Sequence, residues 1–320
     1  MKKIILIPSG DAGGIGPEIA LKAVTDKRVY KICRPVLIGS IDVLNYYSGI
    51  QKKKYSFSSI ENLNQLKHSS GGAAAIPVID PGPFIKEKIN PGRINSIYGR
   101  AAMDYIEFAA CECIKGHAHA MVTCPISKES IVNTGIKNFQ GHTEYLVNRS
   151  GCTNYSMTLY FKENSRHSAV SHISTHIPLR SALKMVKTGA IVRTGILLND
   201  FFLDIGVKKP VIAVAGLNPH AGEQGLFGLE EKLEIIPAIN ELNRKNVRAL
   251  GPVSPDVVFA GLKAGRYHGV VALYHDQGHI AMKTMLFNFK GKIKTHGVNI
   301  TLGLPIIRTS VDHGTGFDIA

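Results

Sequence analysis

Lys3-Ile4-Ile5-Leu6-Ile7-Pro8 runs directly into Ser9-Gly10-Asp11-Ala12-Gly13-Gly14-Ile15-Gly16-Pro17-Glu18. A short β-branched apolar run that ends at turn residues reads as a buried strand. Pro17 suits a first helical turn, where its missing N–H would be unpaired anyway. The stretch is therefore a strand-turn-helix junction, whose glycines let the backbone approach a ligand or another strand closely. No G-x-G-x-x-G register fits it, so it is not the dinucleotide fingerprint, and a tight glycine turn is as good a reading as a ligand loop. The basic start Met1-Lys2-Lys3 resembles that of a signal peptide, but the apolar run breaks at Pro8, short of the roughly 7–15 residues of a secretory core. A cytoplasmic protein is expected.

The same alternation continues outward. Lys3 to Pro8, Val36 to Ile38, Ala120 to Thr123, Ser168 to Ser171, Pro210 to Ala215 and Gly269 to Leu273 read as strands. Gly16 to Thr25, Ala101 to Lys115, Leu179 to Leu203 and Glu230 to Lys245 read as helices. Strands alternating with helices predict an α/β architecture with a largely parallel sheet. At about 150 residues per domain, 320 residues give two domains. With 44% hydrophobic residues the chain is too apolar for disorder, and no apolar run approaches the ~18 residues of a spanning helix, so no membrane is expected. Five cysteines without framework spacing read as reduced thiols.

Lys+Arg exceed Asp+Glu by 38 to 24, a formal net charge of +14. Such an excess favours anionic partners: nucleic acid, a membrane surface or a phosphorylated metabolite. The basic stretch Gln51 to Gly72, with Lys52-Lys53-Lys54, reads as a solvated surface excursion. Net charge is the only feature in favour of a nucleic-acid-binding protein, since no recognised module accompanies it.

Among 13 histidines, four stand out: His142 in Gly141-His142-Thr143-Glu144, His176 in Ser174-Thr175-His176-Ile177-Pro178, His220 in Asn218-Pro219-His220-Ala221-Gly222-Glu223, and His275 in Tyr274-His275-Asp276-Gln277-Gly278. His176, His220 and His275 each follow a strand-like run. In a parallel sheet the carboxyl ends of the strands converge on one rim, where ligands bind. A single such histidine is more often structural. Three in equivalent positions point to a divalent-metal site with an open position for substrate. Asp276 is suited either to orient an imidazole or to join the metal's outer shell. Cys111-Glu112-Cys113 with His117 and His119 lacks zinc-ligand spacing and reads as part of an amphipathic helix. Near the end, Lys283, Asn299 and Arg308 beside glycine-rich turns are suited to grip a phosphate, although a surface basic cluster fits the same residues.

Together, Gly141 to Glu144, Gly216 to Glu223, Tyr274 to Gly278 and Gly297 to Gly314 resemble the 4-hydroxythreonine-4-phosphate dehydrogenase (PdxA) family over essentially the whole chain. Gly14 to Glu18 and His313 to Ala320 more distantly resemble isopropylmalate and isocitrate dehydrogenases. The resemblance implies an α/β, two-domain fold of that kind, with parallel-rich sheets and an interdomain cleft. Residues 1–125 plus 285–320 would form one domain, and 126–284 a middle domain with the metal ligands and dimer contacts. It implies a homodimer whose subunits share the active site, and NAD or NADP with a zinc, magnesium or cobalt ion as cofactors.

By motif, His176, His220 and His275 become the metal ligands, and His142, Thr143, Lys283, Asn299 and Arg308 the substrate contacts. Lys283, Asp256 and Asp276 become catalytic groups, and His313, Gly314 and Thr315 line the nicotinamide cofactor. The implied reaction oxidises the C3 hydroxyl of 4-hydroxythreonine 4-phosphate. Decarboxylation to 3-amino-2-oxopropyl phosphate follows, within pyridoxal phosphate biosynthesis. The alternative is the same chemistry on D-threonate or D-erythronate 4-phosphate, whose branch Leu226-Phe227-Gly228, His279 and Gly316-Phe317-Asp318 resemble. Relative to the family pattern, Gly10-Asp11-Ala12-Gly13-Gly14 replaces Gly-Asp-Pro-Ala-Gly and extra residues lie within Asn288 to His296. Relatives are expected to continue past Ala320 with a loop and a helix.

Overall fold

The computed structural model describes residues 2–68, 75–82, 89–137, 139–286 and 297–320. The chain divides into two units, Met1–Gly151 with Leu304–Ala320, and Cys152–Gly303. The insertion expected within 288–296 and residues 69–72 of the basic excursion lie outside the described residues.

In the first unit the opening stretch forms β1 (Lys3–Pro8) and α1 (Gly16–Val24). There follow α2 (Lys27–Ile32), β2 (Cys33–Ile38), α3 (Ile41–Ile50), β3 (Phe57–Ser59), β4 (Ile76–Ile79), α4 (Ser96–Ile114), β5 (Ala120–Thr123), α5 (Lys128–Val132) and α6 (His142–Ser150). The last strand of the chain, β12 (Ile307–Ser310), returns to this unit. Its strands run β3-β4-β2-β1-β5-β12, and every neighbouring pair is parallel.

Side chains alternate across a strand, so a sheet covered on both sides reads as a continuous apolar run. Leu6, Val36 and Ile38 accordingly pack into one core with Ile106 and Met121, while Ile7 and Leu37 pack into another with Leu21, Leu44 and Tyr47. Ile131 and Leu146, on α5 and α6, belong to the first of these cores. Residues 126–151, assigned from sequence to the middle domain, thus fall in the first unit, which resumes at 304 rather than 285.

The second unit holds β6 (Ser156–Glu163), β7 (Arg166–His172), α7 (Leu179–Lys184), α8 (Thr188–Asp204), β8 (Ile212–Ala215), α9 (Ile236–Arg244), β9 (Ala249–Val253), α10 (Pro255–Lys263), β10 (Gly269–Ala272), α11 (His275–Leu286) and β11 (Gly297–Leu302). Strand order is β11-β6-β7-β10-β8-β9. The pairs β11·β6 and β6·β7 are antiparallel, and β7, β10, β8 and β9 are mutually parallel.

Two expected helices differ from the sequence reading. Leu179 to Leu203 is broken at 185–187, where Glu234 accepts hydrogen bonds from the Thr188 amide and hydroxyl and from Lys187, and so caps α8. The run from Glu230 opens with a π-type turn, Glu231–Ile235, before α9. No described helix is long and apolar enough to cross a membrane.

Candidate active site

Strands β7, β10 and β8 are neighbours and parallel, so their carboxyl ends share one rim of the second unit. His176, His220 and His275 lie in the segments that leave these three ends. His275 is the first residue of α11, and its Nδ1 pairs with Asp276 Oδ1 at 2.6 Å. With Nδ1 as donor, Nε2 carries the ring's lone pair, the tautomer of a metal-binding imidazole oriented by a carboxylate. The His176 ring centroid is 5.4 Å from that of His275.

His220 is held differently. Residues His220, Ala221, Gly222, Glu223 and Gln224 all have positive φ, a left-handed turn in which each non-glycine residue costs roughly 1–2 kcal/mol. Buried Glu231 fixes its approach by accepting from the Leu217 and Asn218 amides, both at 2.8 Å, and from Asn218 Nδ2 at 2.9 Å. Among the described residues no three His, Cys, Asp or Glu side chains are arranged to hold a metal ion. The structure therefore brings His176 and His275 together and leaves the trio with His220 open. As donors, three imidazoles with an orienting carboxylate at Asp276 suit a divalent ion by type, while His220 is not gathered with the other two. Exposed Asp256 bonds to Ser254, and the charge of His220 helps hold its carboxyl below the usual range.

Burial raises the Glu231 carboxyl, but its hydrogen bonds from Asn218 and Leu217 prevail and hold it below its ordinary value. A lowered folded pKa contributes stability that is complete above the unfolded value near 4.5 and is lost as pH falls through the folded one. Glu231→Gln should therefore destabilise the protein by about 1–3 kcal/mol at pH 7, with the difference shrinking below pH 4. Urea denaturation of both proteins across pH checks this; a gap independent of pH would contradict it.

Behind His275 lie two buried imidazoles. Burial, and then the charge of His279, depress His172 to about 3, while burial and then His275 depress His279 to about 4. Both rings are neutral at physiological pH. Asn299, on β11, has a buried Oδ1 without a hydrogen-bond partner among the described residues, and Lys283 lies in the last turn of α11.

The first unit carries a second constellation. Arg308, on β12 and only 3% exposed, donates from Nη2 and Nε to Thr123 Oγ1 at 2.8 and 3.2 Å, and from Nη1 to Thr143 Oγ1 at 3.3 Å. Burial lowers its guanidinium to about 10, against the pull of Glu144, so it stays charged at pH 7. His142 opens α6, and its Nε2 is buried with no hydrogen-bond partner among the described residues. Burial first, then Arg308 and Lys128, push its pKa well below 6.5. A buried guanidinium, a lysine, a helix N-terminus and a neutral imidazole with an unused nitrogen together suit an oxyanion.

The family model described as pyridoxal phosphate biosynthetic protein PdxA matches residues 31–320. The chain belongs to the PdxA family. A D-threonate 4-phosphate dehydrogenase of Salmonella typhimurium is 40% identical over 321 residues, covering 99% of this chain and 93% of that protein. A solved 4-hydroxythreonine-4-phosphate dehydrogenase from Klebsiella pneumoniae is 36% identical, with a TM-score of 0.83 over 100% of this chain and 93% of the other. A third, from Burkholderia phymatum, has the same identity, a TM-score of 0.81 and coverages of 100% and 92%.

In this PdxA-family chain the opening glycine turn packs closely against Thr315. A Cβ on Gly14 would lie 2.7 Å from the Thr315 carbonyl oxygen, which also accepts from the Ile15 amide at 2.9 Å. Thr315 is thereby tied to the turn, while His313 and Gly314 are exposed. The Cys111/Cys113 pair is structural: Cys113 is buried, Cys111 meets Glu107 and Arg149, and His119 accepts from the Ile4 amide. Sequence reasoning missed Lys128 and His172. Lys128 follows Ser127, which caps α5 just beyond β5, so a lysine two residues after the Pro125-Ile126 strand exit was the available clue. His172 ends the run Ser168 to Ser171, and its place at the strand end was the clue there.

Proposed function

We propose that this protein is a metal- and NAD(P)-dependent dehydrogenase that oxidises the C3 hydroxyl of a four-carbon hydroxy acid phosphorylated at C4, with loss of CO2 following. The observation that carries the reading is the set of histidines leaving three adjacent parallel strand ends: His176, His275 and His220. D-threonate 4-phosphate is the first substrate, on the 40% identity to the Salmonella enzyme of that name. 4-Hydroxythreonine 4-phosphate is the second, on the likeness to solved enzymes named for it. D-erythronate 4-phosphate completes the set.

A divalent ion on His176, His220 and His275 would polarise the hydroxyl under oxidation, and the nicotinamide would accept hydride. Asp276 keeps the His275 lone pair available, and Asp256 sits within electrostatic reach of His220. Arg308, Thr143 and His142 are assigned the phosphate, with Lys128 adding charge. Lys283 is assigned the hydroxyl proton, and Asn299 a hydrogen bond to substrate through its amide. His313, Gly314 and Thr315 are assigned the cofactor. Oxidation at C3 leaves a ketone β to the carboxylate, so the C1–C2 bond breaks with release of CO2 and C2 takes up a proton.

A cytoplasmic homodimer with a shared active site belongs to the same proposal. The five free cysteines support a reducing compartment, and exposed Leu226, Phe227, Leu229 and Leu233 offer apolar surface for a partner.

An NADH- and NADPH-formation assay on the three 4-phosphates, with and without chelator, tests the reading. Fastest turnover is expected on D-threonate 4-phosphate, with CO2 released and activity lost on chelation. Turnover indifferent to chelation would remove the three-histidine mechanism. Preference for 4-hydroxythreonine 4-phosphate would reverse the substrate order.

A further inference from the structure

We propose that His279 is a positioning residue that holds the His275 ring in its ion-binding plane, an inference that rests on the metal reading above. As the first residue of α11, His275 has no preceding helical turn against which to pack. One turn later, at i+4, His279 supplies the missing surface. Its ring lies 3.8 Å from that of His275, centroid to centroid, with the planes only 8° apart.

The His279 ring is itself fixed. It is 5% exposed, and its Nδ1 pairs with the His275 carbonyl at 3.2 Å. His172 backs it at 4.6 Å, pinned by an Nδ1 contact of 3.1 Å to the Met157 carbonyl on the neighbouring strand. Between His275 and His279 stands Gly278, where a Cβ would lie 2.9 Å from Val170 Cγ1 and collide with His172 Nε2. Strand, glycine and helix thus clamp one ring flat against another, while Asp276 holds the His275 edge. Outer partners that orient a ligating histidine typically change metal affinity by about 10–100-fold.

The experiment measures Zn²⁺ and Co²⁺ affinity by competition with a chromophoric chelator, with the Co²⁺ visible spectrum as a second readout. H279L should weaken binding about 10-fold or more and alter the Co²⁺ spectrum. H279F, which keeps a flat ring, should bind within about 3-fold of the parent, half a log unit being below the range for a lost orienting partner. If H279L does not fold, H279Q gives the ringless comparison. Should H275A still bind the ion, the metal reading falls and this inference with it. Loss of the ion in H275A together with unchanged affinity in the ringless variant overturns the inference alone. H279F as weak as the ringless variant also overturns it.

Discussion

His220→Ala is expected to weaken ion binding by more than about 100-fold, beyond what loss of an orienting partner costs, while leaving the protein folded. Loss of a direct ligand should exceed that range because the donor atom itself is gone. The fold should survive because His220 is exposed, so truncation opens no cavity. Its left-handed backbone is no obstacle either, since Ala221 already adopts φ +54 in the same turn. Surface substitutions of this kind usually stay within about 0.5 kcal/mol, which for units of this size moves Tm by about 2 °C or less. Metal analysis after dialysis and a thermal melt check the two halves separately. Unchanged ion content would remove His220 from the ligand set, and a collapsed melt would show that the left-handed turn depends on the imidazole.

The rim itself was legible in the sequence because parallel strands announce themselves. Ile212 to Ala215 and Gly269 to Ala272 are short apolar runs, and a histidine a few residues past each run must emerge at the carboxyl end. What periodicity could not supply was the orientation of the rings. The stack of His275 on His279 depends on α11 starting at His275 itself, and Tyr274, just before it, is not a capping residue type, so Asp276 in the first turn was the one start signal. The left-handed turn at His220 was hidden for a related reason: four of its five residues are not glycine. Glu231, from a later element, holds the Leu217 and Asn218 amides that lead into that turn, a contact that local sequence does not announce.

Antiparallel β6 and β11 were missed because polar side chains occupy their buried positions. Thr158 is fully buried and pairs with Ser171 at 2.7 Å, and Ser156 donates to the His172 carbonyl at 3.0 Å. In β6 the buried Ser156 and Thr158 alternate with buried Met157, Leu159 and Phe161, so polar residues lie inside on one face, and each hydroxyl that finds a partner makes such burial tolerable. The same limit concealed Lys128. A lysine at a helix start reads as surface charge until the fold sets it beside buried His142.

Arg308→Met should separate phosphate recognition from folding. At 3% exposure the guanidinium is removed from water, and burial has lowered its pKa to about 10, so its charge is held at a cost to the unliganded protein. Arg308→Met removes the desolvation cost of that charge and, against it, the hydrogen bonds donated to Thr123 and Thr143. The unliganded Tm of the variant is therefore expected to stay close to that of the parent. Losing one partner of a buried charged pair costs about 2–5 kcal/mol, which is roughly 30- to several-thousand-fold in substrate affinity. The parent should gain thermal stability from inorganic phosphate by mass action, and the variant should not. Arg308→Lys would keep a charge and lose the fork that reaches both Thr123 and Thr143, so it should recover only part of the affinity. Equal phosphate protection of parent and Arg308→Met would move the phosphate away from Arg308. A large drop in unliganded Tm would make the guanidinium chiefly a structural tie between β12 and the end of β5.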